Sequence, residues 1–341
     1  MTAGFLCAQA KTDIPRMPDG KPSFQGYWNI PYTPNMAQAK GEASVPYTDA
    51  GRKAFIEHDA KDDPTSLCTY PGVPRIMYLE FPFQIFQTNN HVAITFEWSQ
   101  VYRLIYTNGA PTMHEGIESW MGNSRGHWEG DVLVVSVTNH NDRTWLDAAG
   151  NFHSAELEVT ERYALKDANT IDYEATIEDP KVFTRPWKIR MPLHRQTDTP
   201  RLLEYQCQAE KEEQNGDFER DARTWYPAAA PAGNAPFDAR ASAPLPRPAV
   251  TGDIRRLPDG KPDISGWYEN DAGGANYGLE GAAQNFLTPA SRGVVVDPRD
   301  GKLPYQAWAR AERIDRTKPH RGYDDPTAHC FVAGVPRSQY V

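Results

Sequence analysis

The sequence predicts a mainly β protein, an antiparallel meander of about eight strands closed into a lipocalin-like barrel. Three observations carry this expectation. Between residues 83 and 208, apolar and polar residues alternate with period two in one segment after another. Short turn signals such as Asn89-Asn90, Asn108-Gly109 and Asp167-Ala168-Asn169 join many of these segments. No helical crossover of a dozen residues intervenes, which disfavours a parallel βαβ sheet. Closure removes exposed strand edges, so a barrel is preferred over the alternative, a two-sheet β-sandwich.

The elements follow in chain order. Residues 1–10, MTAGFLCAQA, end in the small-x-small form of a signal-peptidase site and read either as a signal-peptide remnant or as a plain frayed terminus. Residues 11–81 read as an irregular arm, interrupted by prolines at 15, 18, 22, 31, 34, 46, 64, 71 and 74. Within it, a short helix is expected from Thr48 to Asp59, with Thr48 as its cap. The barrel-like domain covers 82–226. Its strands are FQIFQT from Phe83, HVAITFEW from His91, VYRLIYTNG from Val101, Val132 to Thr138, ELEVTERYALK, TIDYEATIE, WKIRMPLHR and RLLEYQCQ. Glu129-Gly130-Asp131 reads as a tight turn before Val132. In ELEVTERYALK, Leu157, Val159, Tyr163 and Leu165 share a face with Glu161. Pro192 should mark an edge or a bulge, because proline brings no N–H to a ladder. Residues 227–250 are a Pro/Ala linker.

Residues 251–341 read as a duplicated part of the arm. RMPDGKPSFQGYW, from Arg16, is echoed by RLPDGKPDISGWY, from Arg256. VPYTDAGRKAF, from Val45, is echoed by LPYQAWARAER, from Leu303. KDDPTSLCTYPGVPR, from Lys61, is echoed by YDDPTAHCFVAGVPR, from Tyr323. Three matches in the same order indicate an internal repeat. The second copy reaches Val341 without entering strands, and an arm of this composition buries too little apolar surface to fold alone, so it is expected to dock on something. The ions of the two copies, Asp62, Asp63 and Arg75 with Asp324, Asp325 and Arg337, are candidates for a latch onto the barrel.

Bulk properties limit the partners. The formal net charge is -9, with no cluster of Lys and Arg of the kind a phosphate-tracking surface needs, so nucleic acid is not expected. No run of 18 apolar residues is present, so no membrane span is expected. None of the four cysteines forms a C-x-x-C pair. Cys68 and Cys207 are left as either a disulfide or free buried thiols.

The stretch WMGNSRGHWEGDVLVVSVTNHNDRTWLDAAGNFHSAELEVTERY, with the PDGKP…GYW arm and the DDP…C…GVPR element, is similar to a family of bacterial secreted or periplasmic proteins. The resemblance covers residues 15–208 closely and 254–337 in part. It implies export to a secreted or periplasmic location. It supplies no reaction, so no catalytic residue carries over from it.

The densest polar and aromatic segment runs from His114 to Asp147, and in a barrel its positions belong to loops and strand ends at the mouth. Three readings compete. His127 or His140 is a candidate general base or acid, oriented by Glu129 or Asp142, suited to a lyase, isomerase or hydrolase acting on a small organic or sugar-like molecule. Alternatively, the segment forms a non-catalytic pocket walled by Phe96, Trp98, Tyr102, Tyr106, Trp120 and Trp128. In the third reading the protein is an assembly protein, whose residues 251–341 dock on a neighbouring subunit to form oligomers or filaments. The sequence leaves enzyme and binder undecided. The histidines lack the spacing of a metal motif, and neither a metal nor a cofactor is expected.

Overall fold

The alternating segments pair as their period requires. The computed structural model describes residues 14–37, 45–216 (except 115 and 199), 252–266, 268, 279–281, 293–316 and 318. The chain divides into two units, Met1–Gln208 and Ala209–Val341.

In the first unit nine strands close into a barrel in chain order. They are β1 (Gly26–Asn29), β2 (Phe83–Gln87), β3 (His91–Phe96), β4 (Tyr102–Tyr106), β5 (Asn123–Glu129), β6 (Val132–Thr138), β7 (Glu158–Asp167), β8 (Thr170–Glu178) and β9 (Trp187–Arg195). The barrel expectation holds and the sandwich does not. Besides β5, which is not among the expected strands, three details differ from the expected meander. First, the arm is part of the wall, since β1 pairs with both β2 and β9 and closes the ring. Four residues sufficed for this, too short a run to show alternation. Gly26 has φ 127°, which side-chain-bearing residues rarely adopt, and a Cβ there would also meet the end of the Arg195 side chain. Second, β4 and β5 run parallel and share only one residue pair, Tyr106↔Arg125. The long connection 107–122 permits this, whereas a tight turn would have forced an antiparallel pair. Third, RLLEYQCQ is not a strand. Its first residues are irregular, and helix α2 (Cys207–Gln214) follows. With β1 in place, the sheet has no edge left for it to join.

The faces are as alternation requires. Val159, Glu161, Tyr163 and Leu165 of β7 and Ile171, Tyr173, Ala175 and Ile177 of β8 are all buried. Trp28, Phe83, Phe96, Tyr163 and Tyr173 fill the interior, as expected for a barrel of this size. Pro192 pairs with Asp172 on one side, and β1 reaches only Arg195 and His194 on the other, so the proline sits at a local edge.

The arm is held at several points. Helix α1 (Asp49–Glu57) is capped by the Thr48 hydroxyl, which accepts from the Gly51 N–H at 3.0 Å. Cys68 and Cys207 form a disulfide that ties the arm to the segment after β9. Asp63 and Arg75 do not reach out to the barrel wall. They form a buried bidentate pair within the arm, at 2.8 and 2.6 Å. Burial raises the Asp63 pKa, but the hydrogen bonds and charge of Arg75 bring it below the ordinary carboxylate value.

In the second unit, residues 255–263 repeat the backbone hydrogen bonds of 15–23. Met17 N–H donates to the Lys21 carbonyl at 2.8 Å, and Leu257 N–H to the Lys261 carbonyl at 2.9 Å. Arg16 Nη1 donates to Gly20 O at 2.8 Å, and Arg256 Nη1 to Gly260 O at 2.7 Å. Trp28 Nε1 donates to Phe24 O, and Tyr268 OH to Ile264 O. Helix α3 (Ala307–Arg316) begins at the position that matches the start of α1. The DDP…C…GVPR echo, with Asp324, Asp325, Cys330 and Arg337, lies outside the described residues, as do residues 1–10 and the linker 227–250.

Candidate functional site

The single residue pair between β4 and β5 leaves the wall parted there. Below that pair the strands diverge, and a cleft of about 470 Å³ opens between them. Its walls include Tyr70, Tyr102, Tyr106, Met113, Trp120 and Met121, and its polar lining includes Arg103, Ser119, Asn123, Ser124 and Arg125.

The roof is the connection 107–122, and Asn139 holds it. Asn139 takes a left-handed backbone conformation (φ 61°), which asparagine tolerates better than most residues. Its side-chain amide donates to the carbonyls of His114 and Ile117, both at 3.0 Å, and its own carbonyl accepts from Ser119 N–H at 2.8 Å. At Gly122 the connection crosses the ring of His140. A Cβ there would lie 2.8 and 2.9 Å from His140 Cε1 and Nε2, so only glycine fits without movement.

The floor is a buried ion network. Arg103 follows the phase of Val101 and Ile105 and points inward, as Glu161 does from β7. Arg103 Nη1 donates to Glu161 Oε1 at 3.0 Å, and Nη2 donates to Glu161 Oε2. Arg103 Nε donates to the Ser124 hydroxyl at 2.9 Å. The hydroxyls of Tyr163 and Tyr173 donate to Glu161 Oε1 at 3.0 and 2.8 Å. Burial works against the charge on Arg103, but Glu161 outweighs it and raises the guanidinium pKa. Burial, followed by the Glu161 charge, raises both tyrosine hydroxyls well above their ordinary value. Each carboxylate oxygen of Glu161 accepts from Arg103, and the network fixes the guanidinium in place.

Beside the cleft lies a second buried group whose bonding is incomplete. Ser119 Oγ, Asn123 Oδ1 and both ring nitrogens of His140 have no hydrogen-bond partner of normal geometry. The pKa of His140 is lowered to about 3, first by burial, then by the neighbouring His153 and by Arg103; a weak interaction with the Val137 backbone opposes this. The imidazole is therefore neutral at physiological pH, with one donor and one acceptor.

The four residues selected from the sequence do not converge. His127 and Glu129 stand on the outer face of β5, with His127 Nε2 3.4 Å from Glu129 Oε1. Arg162 Nη2 also donates to Glu129, at 2.8 Å, and the Glu129 pKa is lowered first by that bond and then by His127. His127 pairs with Val134 part-way along β6, whereas His140 lies beyond the far end of that strand, after Thr138. Asp142 is exposed and makes no carboxylate–imidazole pair with His140 among the described contacts. Of the expected aromatic wall, Tyr102, Tyr106 and Trp120 line the cleft. Phe96 is in the core, Trp98 packs on Phe81 and Tyr205, and Trp128 stacks on Phe24. Arg103, Glu161, Ser119 and Asn123 were not selected from the sequence. Strand phase does signal the first two, since each alternates with buried residues.

Among the described residues, no group of three or more His, Cys, Asp or Glu is placed to hold a metal ion, and no helix is long and apolar enough to cross a membrane. No family profile and no curated protein matches the chain. Among solved structures it is similar to the crystal structure of a mutant of the fluorescent protein UnaG. The identity is 14%, over 51% of this chain and 97% of that one, with a TM-score of 0.27.

Proposed function

We propose that the protein binds a small organic molecule in the cleft between β4 and β5. The observation that carries this is the parted wall itself, because elsewhere around the ring the strands pair over two to nine residues. An aromatic-lined opening with a few polar groups is the common form of a ligand site. Binding is preferred to acid–base catalysis because neither histidine has both a suitable environment and access to the cleft. His140 is too weak a base near neutrality, and His127 is on the outer wall. The disulfide between Cys68 and Cys207 supports an oxidising, exported location. The test is a small-molecule screen read by tryptophan fluorescence, repeated on Trp120→Ala. Hits that bind the wild type and lose affinity in Trp120→Ala support the reading. Hits that bind the variant equally well place binding elsewhere and refute it.

A second reading concerns residues 256–266 and Tyr268 and rests on their exposure. Ile264 and Tyr268 are 78% and 77% exposed, although their counterparts Phe24 and Trp28 are buried. A formed hairpin with uncovered apolar residues suits docking on a neighbouring subunit. Light scattering across a concentration series tests this. Oligomers that dissociate in Ile264→Asp support it, and a monomer at every concentration refutes it.

A further inference from the structure

The cleft carries an imbalance of charge. Two guanidinium groups, those of Arg103 and Arg125, line it, and among the described residues no aspartate or glutamate does. Glu161 neutralises Arg103 from inside the barrel. Arg125 has no such counterpart. Its Nε and Nη2 donate to the Pro111 carbonyl at 2.9 and 2.5 Å, and its Nη1 donates to its neighbour Ser124 O at 3.1 Å. Among the described residues, no carboxylate lies within the 4.0 Å of an ion pair. Carbonyl oxygens offer partial charges only, so among the described residues the Arg125 charge meets no full counter-charge, in a chain whose formal net charge is -9.

Two further features bear on what would satisfy it. The Arg125 guanidinium lies 4.4 Å from the centroid of the Tyr106 ring, which holds its plane at the cleft wall. A guanidinium has five N–H groups and three are used here, so donors remain for a ligand. Ser119 is on the same lining, and its buried hydroxyl has no partner among the described residues. A lone buried hydroxyl is unfavourable until a partner arrives. Around these polar groups the lining is aromatic and thioether: Trp120, Tyr106 and Met121.

We propose that the ligand is an aromatic carboxylate, with its carboxylate on Arg125 and its ring against Trp120, Tyr106 and Met121. This rests on reading the cleft as the binding site, and the test separates the two claims. Calorimetry on the full chain would compare 2-naphthoate, indole-3-acetate and cinnamate with their uncharged amides, in the wild type and in Arg125→Gln. The acids are expected to bind about tenfold more tightly than the amides, a preference that weakens with salt. In Arg125→Gln, acids and amides should bind alike, and retained amide binding shows that the cleft is intact. Amides that equal or exceed the acids in the wild type overturn the carboxylate proposal and leave the binding cleft standing. If neither class binds at millimolar concentration, the cleft reading falls as well.

Discussion

The turns at 16–22 and 256–262 share a backbone geometry but not an environment. Both close through an Asp-Gly turn, with glycine φ values of 82° at Gly20 and 83° at Gly260. In the first, Phe24 and Trp28 enter the core, Arg16 makes a bidentate pair with Asp131, and β1 follows directly. In the second, Leu257, Ile264 and Tyr268 are exposed. The turn chemistry is thus sufficient for the local shape and does not require the barrel. What the barrel adds is burial, which supplies most of the free energy by which the first arm is held.

The contrast is tested most severely by truncation. Trp28→Ala should destabilise the protein by about 3–5 kcal/mol in urea unfolding, through lost burial and a cavity. Tyr268→Ala should leave the midpoint unchanged within error. Equal losses at the two positions would mean that the second hairpin is packed as the first is. Next in size is the tether of the first arm. Cys68→Ser should cost about 2–4 kcal/mol, because the disulfide closes a long loop in the unfolded chain. A reducing agent should reproduce the effect in the wild type and not in the variant.

The pH dependence sharpens the contrast from the barrel side. His140 has a folded pKa of about 3, below its ordinary value of 6.5. Its contribution is complete above the unfolded value, and is lost as pH falls from there towards the folded one. Between pH 7 and 5 this amounts to about 2 kcal/mol. His140→Gln should flatten that part of a stability–pH curve, and an unaltered slope would contradict the buried neutral imidazole. The smallest effect belongs to Arg16, whose pair with Asp131 is exposed. Arg16→Ala should shift the midpoint at the edge of detection, and the shift should vanish in 1 M salt. Arg256→Ala should show none.

Much of this molecule is local in origin, and that part was legible in the sequence. Period-two alternation assigned the inward faces of β7 and β8, including the buried Glu161, because side chains alternate across a strand whatever it pairs with. Thr48 named its own helix start, since a cap is satisfied within three residues. Tyr102, Tyr106 and Trp120 were in the expected wall because loop and strand-end aromatics belong near an opening.

The candidate site was less legible, for the opposite reason. His127 and His140 are thirteen positions apart in the sequence, yet one stands on the outer face within β5 and the other lies past the end of β6, beneath a glycine. Arg103 and Glu161 meet across the barrel although 58 residues separate them. By itself the sequence determined seven of the nine strands, the faces of β7 and β8, several turns and the twofold use of the PDGKP peptide. Only the tertiary structure decided that four arm residues close the ring, that β4 and β5 part after one pair, and which charges meet there. Those outcomes depend on register and closure between distant segments, and no local period encodes them.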